Sequence, residues 1–449
     1  MAAMIVSASV TGASAQQIRS AYFMEKSVAR TSLNPAFVPE RGFVTIPIIG
    51  SFGASFGTNG VAANDFIYNR NGKNITFLDS SIPAEDFLGR IKDNNSFNMD
   101  FSTDLLRVGW FGMGGFCTVE TGIRTNFSIN VPKSMFELIK MPIPSSGTVL
   151  DIKNFDLDLD IYNETALGYA RSINDRLTVG GKFKLLLGLG NINMHVENMR
   201  ATENGDTWDV ISRGSLDVSM RGLCPKTKME DGVEYIDKLE LGSMGISGVG
   251  AGIDLGVSYK LLDNLTISGA ILDLGFISWG KKSNITALSD EEINFEGFQD
   301  NGGSAGDQFD NIADGFKDLV RLRTTEQKGR STSLRTTINV GAEYTILDNL
   351  LGFGLLSSTK FYKPVAYTEL TAVATVRPAN WFTGALSYSF IHSKFKTFGL
   401  ALNFNAPGFN FLVGSDYVLT SVNKGVPQTV NGANIYLGMA ITFGKPKSL

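Results

Sequence analysis

The sequence predicts an all-β fold, a 14-stranded antiparallel transmembrane β-barrel, and three observations carry that expectation. The first is a recurring hairpin signature, in which an alternating run containing Tyr stops at a short polar turn and restarts. Gly168-Tyr169-Ala170 leads to Asn174-Asp175-Arg176, Val257-Ser258-Tyr259 to Leu262-Asp263-Asn264, and Ala342-Glu343-Tyr344 to Leu347-Asp348-Asn349. Asn and Asp tolerate left-handed backbone and bond their own main chain, so each copy reads as a tight hairpin. Pro378-Ala379-Asn380 and Ala406-Pro407-Gly408 look like further turns of the set. The second is period-two alternation: in the final run Ala433, Ile435, Leu437, Met439, Ile441 and Phe443 share one face, and Asn434, Tyr436, Gly438, Ala440 and Thr442 the other. The third is the shortness of the apolar stretches. Val44 to Ile49, interrupted by Pro47, falls far below the roughly 20 residues a spanning helix needs, so a membrane-spanning form must be a closed barrel.

Taken in order, the runs lie near 43–57, 97–112, 114–130, 154–172, 176–196, 247–261, 265–279, 331–346, 350–362, 366–377, 381–393, 395–405, 409–420 and 432–443. That is fourteen, and an even count returns both termini to one side. With the short turns (113–114, 173–175, 262–264, 347–349, 378–380 and 406–408) taken as periplasmic, both termini are periplasmic too. Alternation slips or weakens around Leu105 to Val108, Ala270 to Leu274 and Ala366 to Arg377, which predicts bulges there. Pairing Ser172 with Arg176 across the 173–175 turn sets Glu164 opposite Lys184, both facing inward.

The stretch Trp208 to Gly222 would break the parity as a membrane strand and is read as a hairpin arm within an external loop. The large loops span 58–96, 131–153, 197–246 and 280–330. Two hold helical patterns, Ser134 to Lys140 and Asp307 to Leu322, the second with Phe309, Ile312, Ala313, Phe316, Leu319 and Val320 on one stripe.

No linker or shift of composition divides the 449 residues, so one domain is expected. The 49 glycines and 31 phenylalanines against two histidines suit strands with lipid on one side and a crowded lumen on the other. A net charge of -4 provides no basic footprint for nucleic acid. Cys117, on the outward face of the third strand near its periplasmic start, and Cys224, in an external loop, should not be bonded to each other.

Glu120, Arg124, Glu164, Lys182, Lys184, Arg335 and Glu343, with Asp254, Lys260 and Asp416, fall on inward positions; their mixed signs predict an ion-paired, partly filled lumen. Asp156, Asp158 and Asp160 share one inward face. They would suit a bound cation, but relief of their repulsion by lumen cations or by Lys and Arg across the barrel is the stronger expectation. The acidic loop 280–330 lacks EF-hand spacing and reads as a solvated face, while Gly302-Gly303-Ser304-Ala305-Gly306 lacks the ending of a phosphate loop. His195 and His392 stand far apart with no nucleophile signature. No catalytic constellation and no cofactor are therefore expected.

Residues 1–15 form a small-residue run ending Ala13-Ser14-Ala15, which matches a signal-peptide cleavage site. The missing basic start reads as truncation, the alternative being a disordered N-terminus. Next come residues 16–42, polar and punctuated but holding Tyr22, Phe23, Leu33 and Phe37, and then the barrel, 43–449. Arg30-Thr31-Ser32-Leu33-Asn34-Pro35-Ala36-Phe37-Val38-Pro39 stands before the first strand. An Asn-Pro-Ala in this place, ahead of a 14-stranded pattern, resembles the FadL-type family of outer-membrane hydrophobic-compound channels and looks nearest to an uncharacterised branch of it.

The resemblance implies that 16–42 fold inside the barrel as an N-terminal hatch beneath helix-containing extracellular loops. In that arrangement Asn34, Pro35 and Ala36 serve as the hatch turn. It also implies the outer membrane of a Gram-negative bacterium, with contact to lipid and a lumen that takes a hydrophobic ligand or detergent. Its loops share no pattern with the transporters' substrate groove, so specificity does not carry over. Two functions follow from the resemblance: a channel admitting hydrophobic small molecules, or a non-transporting barrel subunit bound to outer-membrane secretion or assembly machinery.

Overall fold

A computed structural model describes residues 19–45, 50–59, 61, 63–70, 73–79, 81–140, 147–230, 232–241, 245–298, 312, 314–316, 319–325, 327–361, 366–391, 395–417, 422–423, 426–427 and 432–447. The proposed signal peptide and residues 16–18 lie outside them, as do most of the helix expected over 307–322, His392 and 302–306.

Alternating apolar-out and polar-in residues form fourteen barrel strands. In chain order they are β1 (Gly42–Thr45 and Ser51–Thr58), β2 (Asn94–Gly112), β3 (Gly115–Pro132), β4 (Phe155–Ser172), β5 (Leu177–Asn204), β6 (Gly248–Leu262) and β7 (Leu265–Trp279). The second half comprises β8 (Arg330–Ser333 and Thr337–Ile346), β9 (Leu351–Phe361), β10 (Ala366–Ala379), β11 (Phe382–Ile391), β12 (Phe395–Ala406), β13 (Phe409–Ser415) and β14 (Gly432–Phe443). Every neighbour is antiparallel. The wall closes where β14 meets β1, from Gly42 opposite Phe443 to Thr45 opposite Ala440, and closure leaves no unpaired edge.

The short turns gather at one end, and their backbone bears out the chemistry. Met113 and Gly114 both have positive φ in a two-residue hairpin between Gly112 and Gly115. Leu347, Asp348 and Asn349 have φ of 54°, 52° and 68°, and Pro407-Gly408, with Gly408 at 87°, has the residue order of a type II turn. Both termini of the barrel reach this end, where Lys447 N donates to Glu40 O at 2.8 Å.

Outward positions are apolar and open: Leu167, Phe183, Leu255, Phe276, Phe353, Leu386, Phe398 and Ile441 are each more than half exposed. A continuous belt of this kind faces lipid rather than water. Among the described residues no helix is long and apolar enough to cross a membrane. At the short-turn end aromatic side chains edge the belt. Cys117 is buried in the register between Trp110 and Tyr169, and Cys117 and Cys224 are both free thiols.

The long loops build a cap at the other end. β5 runs 28 residues and continues past the barrel, pairing there with Thr207–Met220, which pairs in turn with Asn284–Phe295. The segment expected as a loop hairpin arm from Trp208 is that arm: it turns back from β5 at Gly205-Asp206 and forms a strand of the cap, outside the barrel count. A helix, Lys133–Lys140, buries Met135, Phe136 and Leu138. With Phe77, Phe87, Trp208, Val210 and others these form the largest apolar cluster among the described residues. Leu319 and Val320 join it, with Phe316 packed against it, so the described part of the expected apolar stripe is turned inward.

Two register expectations change. Ser172 pairs with Thr178, not Arg176, because Asn174 Oδ1 accepts from both Arg176 N and Leu177 N and holds four residues in the turn. Glu164 is thus opposite Leu186, two residues from the expected Lys184, with every side chain still on its expected face. The expected bulges fall between Asp104 and Leu106, opposite Ile253 to Leu255 where Asp273 has φ 59°, and between Val376 and Ala379. The rest of β10 pairs regularly. Its alternation is weak only because Thr371, Val373 and Thr375 face in while Ala372 and Ala374 face out.

Candidate functional site in the lumen

Residues 19–41 fold inside the barrel. Two short 3-10 turns, Arg19–Phe23 and Val28–Ser32, alternate with irregular backbone, and an irregular segment is stable only where other groups satisfy its N–H and C=O. The wall supplies them. Arg377 donates to Phe23 O at 2.8 Å, Asn410 to Lys26 O at 3.1 Å and Asn339 to Leu33 O at 3.1 Å. The innermost end is locked by charge: Arg19 N and Ser20 N donate to the Asp416 carboxylate at 2.7 and 3.1 Å, and Arg19 Nη1 lies 2.7 Å from Glu369 Oε2. Tyr22, Phe23, Met24, Leu33 and Phe37 pack with Leu356, Val373, Ala385, Ala401 and Leu412 of the wall.

The Asn34-Pro35-Ala36 turn docks by shape as well as by bonds. Asn34 Oδ1 accepts from Ala36 N at 2.9 Å, while its Nδ2 donates to Val257 O at 3.2 Å and Gly269 O at 3.1 Å. These contacts require glycine on the wall. A Cβ at Gly256 would fall on Asn34 Oδ1, one at Gly180 on the Pro35 carbonyl, and one at Gly354 on the Phe23 ring.

Above this plug lies a belt of ion pairs. Lys184 Nζ is held by Asp273 at 2.5 Å, Asp254 at 2.9 Å and Glu164 at 3.2 Å. Arg124 bridges Asp104 at 2.9 Å and Glu164 at 3.2 Å. Glu120 takes Lys182 at 2.7 Å and Arg107 at 3.4 Å, and Arg107 also donates to Thr31 of the plug. A cavity of about 140 Å³ sits between plug and belt, lined by Glu120, Arg124, Glu164, Lys182 and Lys184 on one side and by Ala29, Leu33 and Leu412 on the other.

Six of the ten inward charges named from sequence, these five with Asp254, thus meet around one space. Arg335 stands next to it, 3.8 Å from Asp100 and 3.7 Å from Asp158. Glu343 lies apart, 2.5 Å from Arg377. The three-aspartate face is divided among partners: Asp156 bonds His195 at 2.6 Å, Asp158 meets Arg335, and Asp160 accepts from Asn191 at 2.7 Å. Among the described residues no His, Cys, Asp and Glu group could hold a metal ion. Lys260, expected inside, is exposed at the short-turn rim.

Sequence reading missed Arg19, Asp104, Arg107, Asp273, Glu369 and Arg377. Asp104, Arg107 and Asp273 sit beside bulges, where a count of alternate residues loses its phase. Arg19 carries no local signal, since its partners lie 350 and 397 positions away.

A family model described as "Family of unknown function (DUF5723)" matches residues 35–416. No curated protein matches the chain. Among solved structures it is similar to the P. putida toluene transporter TodX, at 8% identity over 99% of this chain and 98% of that one, with a TM-score of 0.40. A TodX deltaS2S3 mutant monoaromatic hydrocarbon channel gives 8% identity, 98% of both chains and 0.42. A Pseudomonas aeruginosa FadL homologue gives 10% identity over 97% of this chain and 94% of that one, with a TM-score of 0.35.

Proposed function

The chain belongs to the family of unknown function DUF5723, and from its barrel and plug we propose that it is a hatched outer-membrane channel that admits hydrophobic small molecules. The observation that carries this reading is the way residues 19–41 are held. They contribute no strand to the wall, so their departure would break side-chain contacts and leave every barrel ladder intact. A segment that closes the lumen without belonging to its wall is suited to open it. On the cap, Phe66, Phe77, Phe87, Phe97 and Phe136 pack ring against ring, an apolar environment into which a greasy solute gains by leaving water.

Replacing Asn34-Pro35-Ala36 with Gly-Ser residues should change naphthalene uptake into proteoliposomes while heat-modifiable migration, the mark of an assembled barrel, persists. Unchanged uptake with a displaced hatch would sink the reading. A second reading is favoured by the ionic belt, because paired charges across the lumen are a poor path for a greasy solute. Under it the barrel is a non-transporting subunit of outer-membrane secretion or assembly machinery. The same variant then leaves uptake alone and loses a co-purifying membrane partner.

A further inference from the structure

The wall behind the hatch is not built like an apolar conduit. From β10 to β13 its inward positions include Thr371, Thr375, Thr383, Ser387, Asn403 and Asn410, interspersed with small residues such as Ala385 and Ala401. Some of these groups are satisfied: Thr371 bonds Ser389 at 2.9 Å, and Asn410 serves the plug backbone. Others are not. Asn403 is fully buried, yet neither its Oδ1 nor its Nδ2 has a partner, and Ser387 Oγ, in a residue 4% exposed, has none either.

Buried polar groups without protein partners cost free energy, and water is a common partner for them. The hatch does little to meet them, since it covers this wall with apolar side chains, packed against Val373, Ala385, Ala401 and Leu412. Tyr22 packs at Gly341 and bonds Ser268 on β7, while Phe23 packs at Gly354 on β9. Asn403 and Ser387 thus face a neighbour that leaves them unpaired, on a wall that reaches the charged cavity at Leu412, the cross-strand partner of Asn403.

We infer that the β10–β13 wall is the lining of a hydrophilic passage: when the hatch withdraws, water reaches Asn403 and Ser387 and the seam conducts small polar solutes and inorganic ions. This activity is distinct from uptake of greasy solutes and rests on the proposed hatch release. The lock that controls it is Arg19 with Asp416 and Glu369. Loss of one charge-assisted contact there shifts the hatch equilibrium by about tenfold.

The test is planar-bilayer conductance of the purified full-length protein in potassium chloride. Asp416→Asn should raise conductance about tenfold, with Arg19→Met as a second unlocking variant should the first not assemble; heat-modifiable migration reports assembly for both. Adding Asn403→Leu and Ser387→Ala to the unlocked protein should return conductance towards that of the parent. A folded, unlocked barrel with a protease-accessible hatch and no conductance overturns the inference, as does conductance indifferent to the seam substitutions. Naphthalene uptake into vesicles of the same preparation separates the two proposals. Conductance without uptake sinks the hydrophobic-channel reading alone, and uptake without conductance sinks the hydrophilic seam alone.

Discussion

The two sides of the lumen solve the problem of buried polarity in opposite ways. On β2 to β7 the inward groups are full charges that satisfy one another: Lys184 with three carboxylates, Arg124 with two, Glu120 with two cations. On β9 to β13 they are mostly hydroxyls and amides among small side chains, and several lean on the hatch or on nothing. The charged side pairs its ions mostly within the wall, with the plug adding the bond from Arg107 to Thr31. The neutral side leaves Asn403 and Ser387 unpaired with the plug in place. The asymmetry sets a wall that neutralises its own charges against one whose amides and hydroxyls are left over.

The largest expected effect tests the ion pairing of the charged side. Lys184→Met leaves Glu164, Asp254 and Asp273 without their shared cation, and an uncompensated buried charge costs about 3–5 kcal/mol. The urea unfolding midpoint of the assembled barrel should fall accordingly, while Lys184→Arg recovers most of it. A midpoint that stays put would mean that water, not the lysine, screens the three carboxylates. A smaller effect should appear where hatch and wall meet. Gly256→Ala puts a methyl where Asn34 Oδ1 sits, and overpacking of this kind costs about 1–3 kcal/mol. Limited proteolysis should then cut within 19–41 while the barrel resists; protection equal to the parent would show that the docking seen here does not hold the plug.

The smallest effect is a dependence on acidity. Glu25 accepts from Asn349 Nδ2 at 2.9 Å. Burial alone would raise its carboxyl, but the Arg377 and Arg30 guanidiniums and the Asn349 amide outweigh burial and hold it below the ordinary carboxylate range. A carboxylate lowered on folding adds stability that is complete above its ordinary value and is lost as pH falls through the lowered one. Protection of the hatch should therefore be flat near neutrality and decline only below roughly pH 4, with Glu25→Gln removing that decline.

Much of this was legible in the chain because a barrel wall writes itself in period two. All fourteen strands, the short turns and the inward side of Glu120, Lys182 and Lys184 follow from alternation, and a two-residue error in the β4–β5 register left each side chain on the correct face. Arg107 and Asp273 escaped because bulges reset the count beside them. The Arg19 lock escaped for a different reason: it joins residues from the two ends of the chain, and no local pattern encodes such a meeting. The cap strand at Thr207–Met220 was visible as extended chain, but parity could exclude it only from the membrane and could not show what it pairs with.

The length of β5 has a mechanical consequence. At roughly 3.3 Å per residue its 28 residues make a beam about 90 Å long, of which a bilayer crossing uses only about 9–11 residues. Its outer part is hydrogen-bonded into the cap sheet, and its inner part carries Lys182 and Lys184. The cap sheet is therefore continuous with the wall. A sideways load on that sheet is delivered as shear to the strand that holds the ionic belt together.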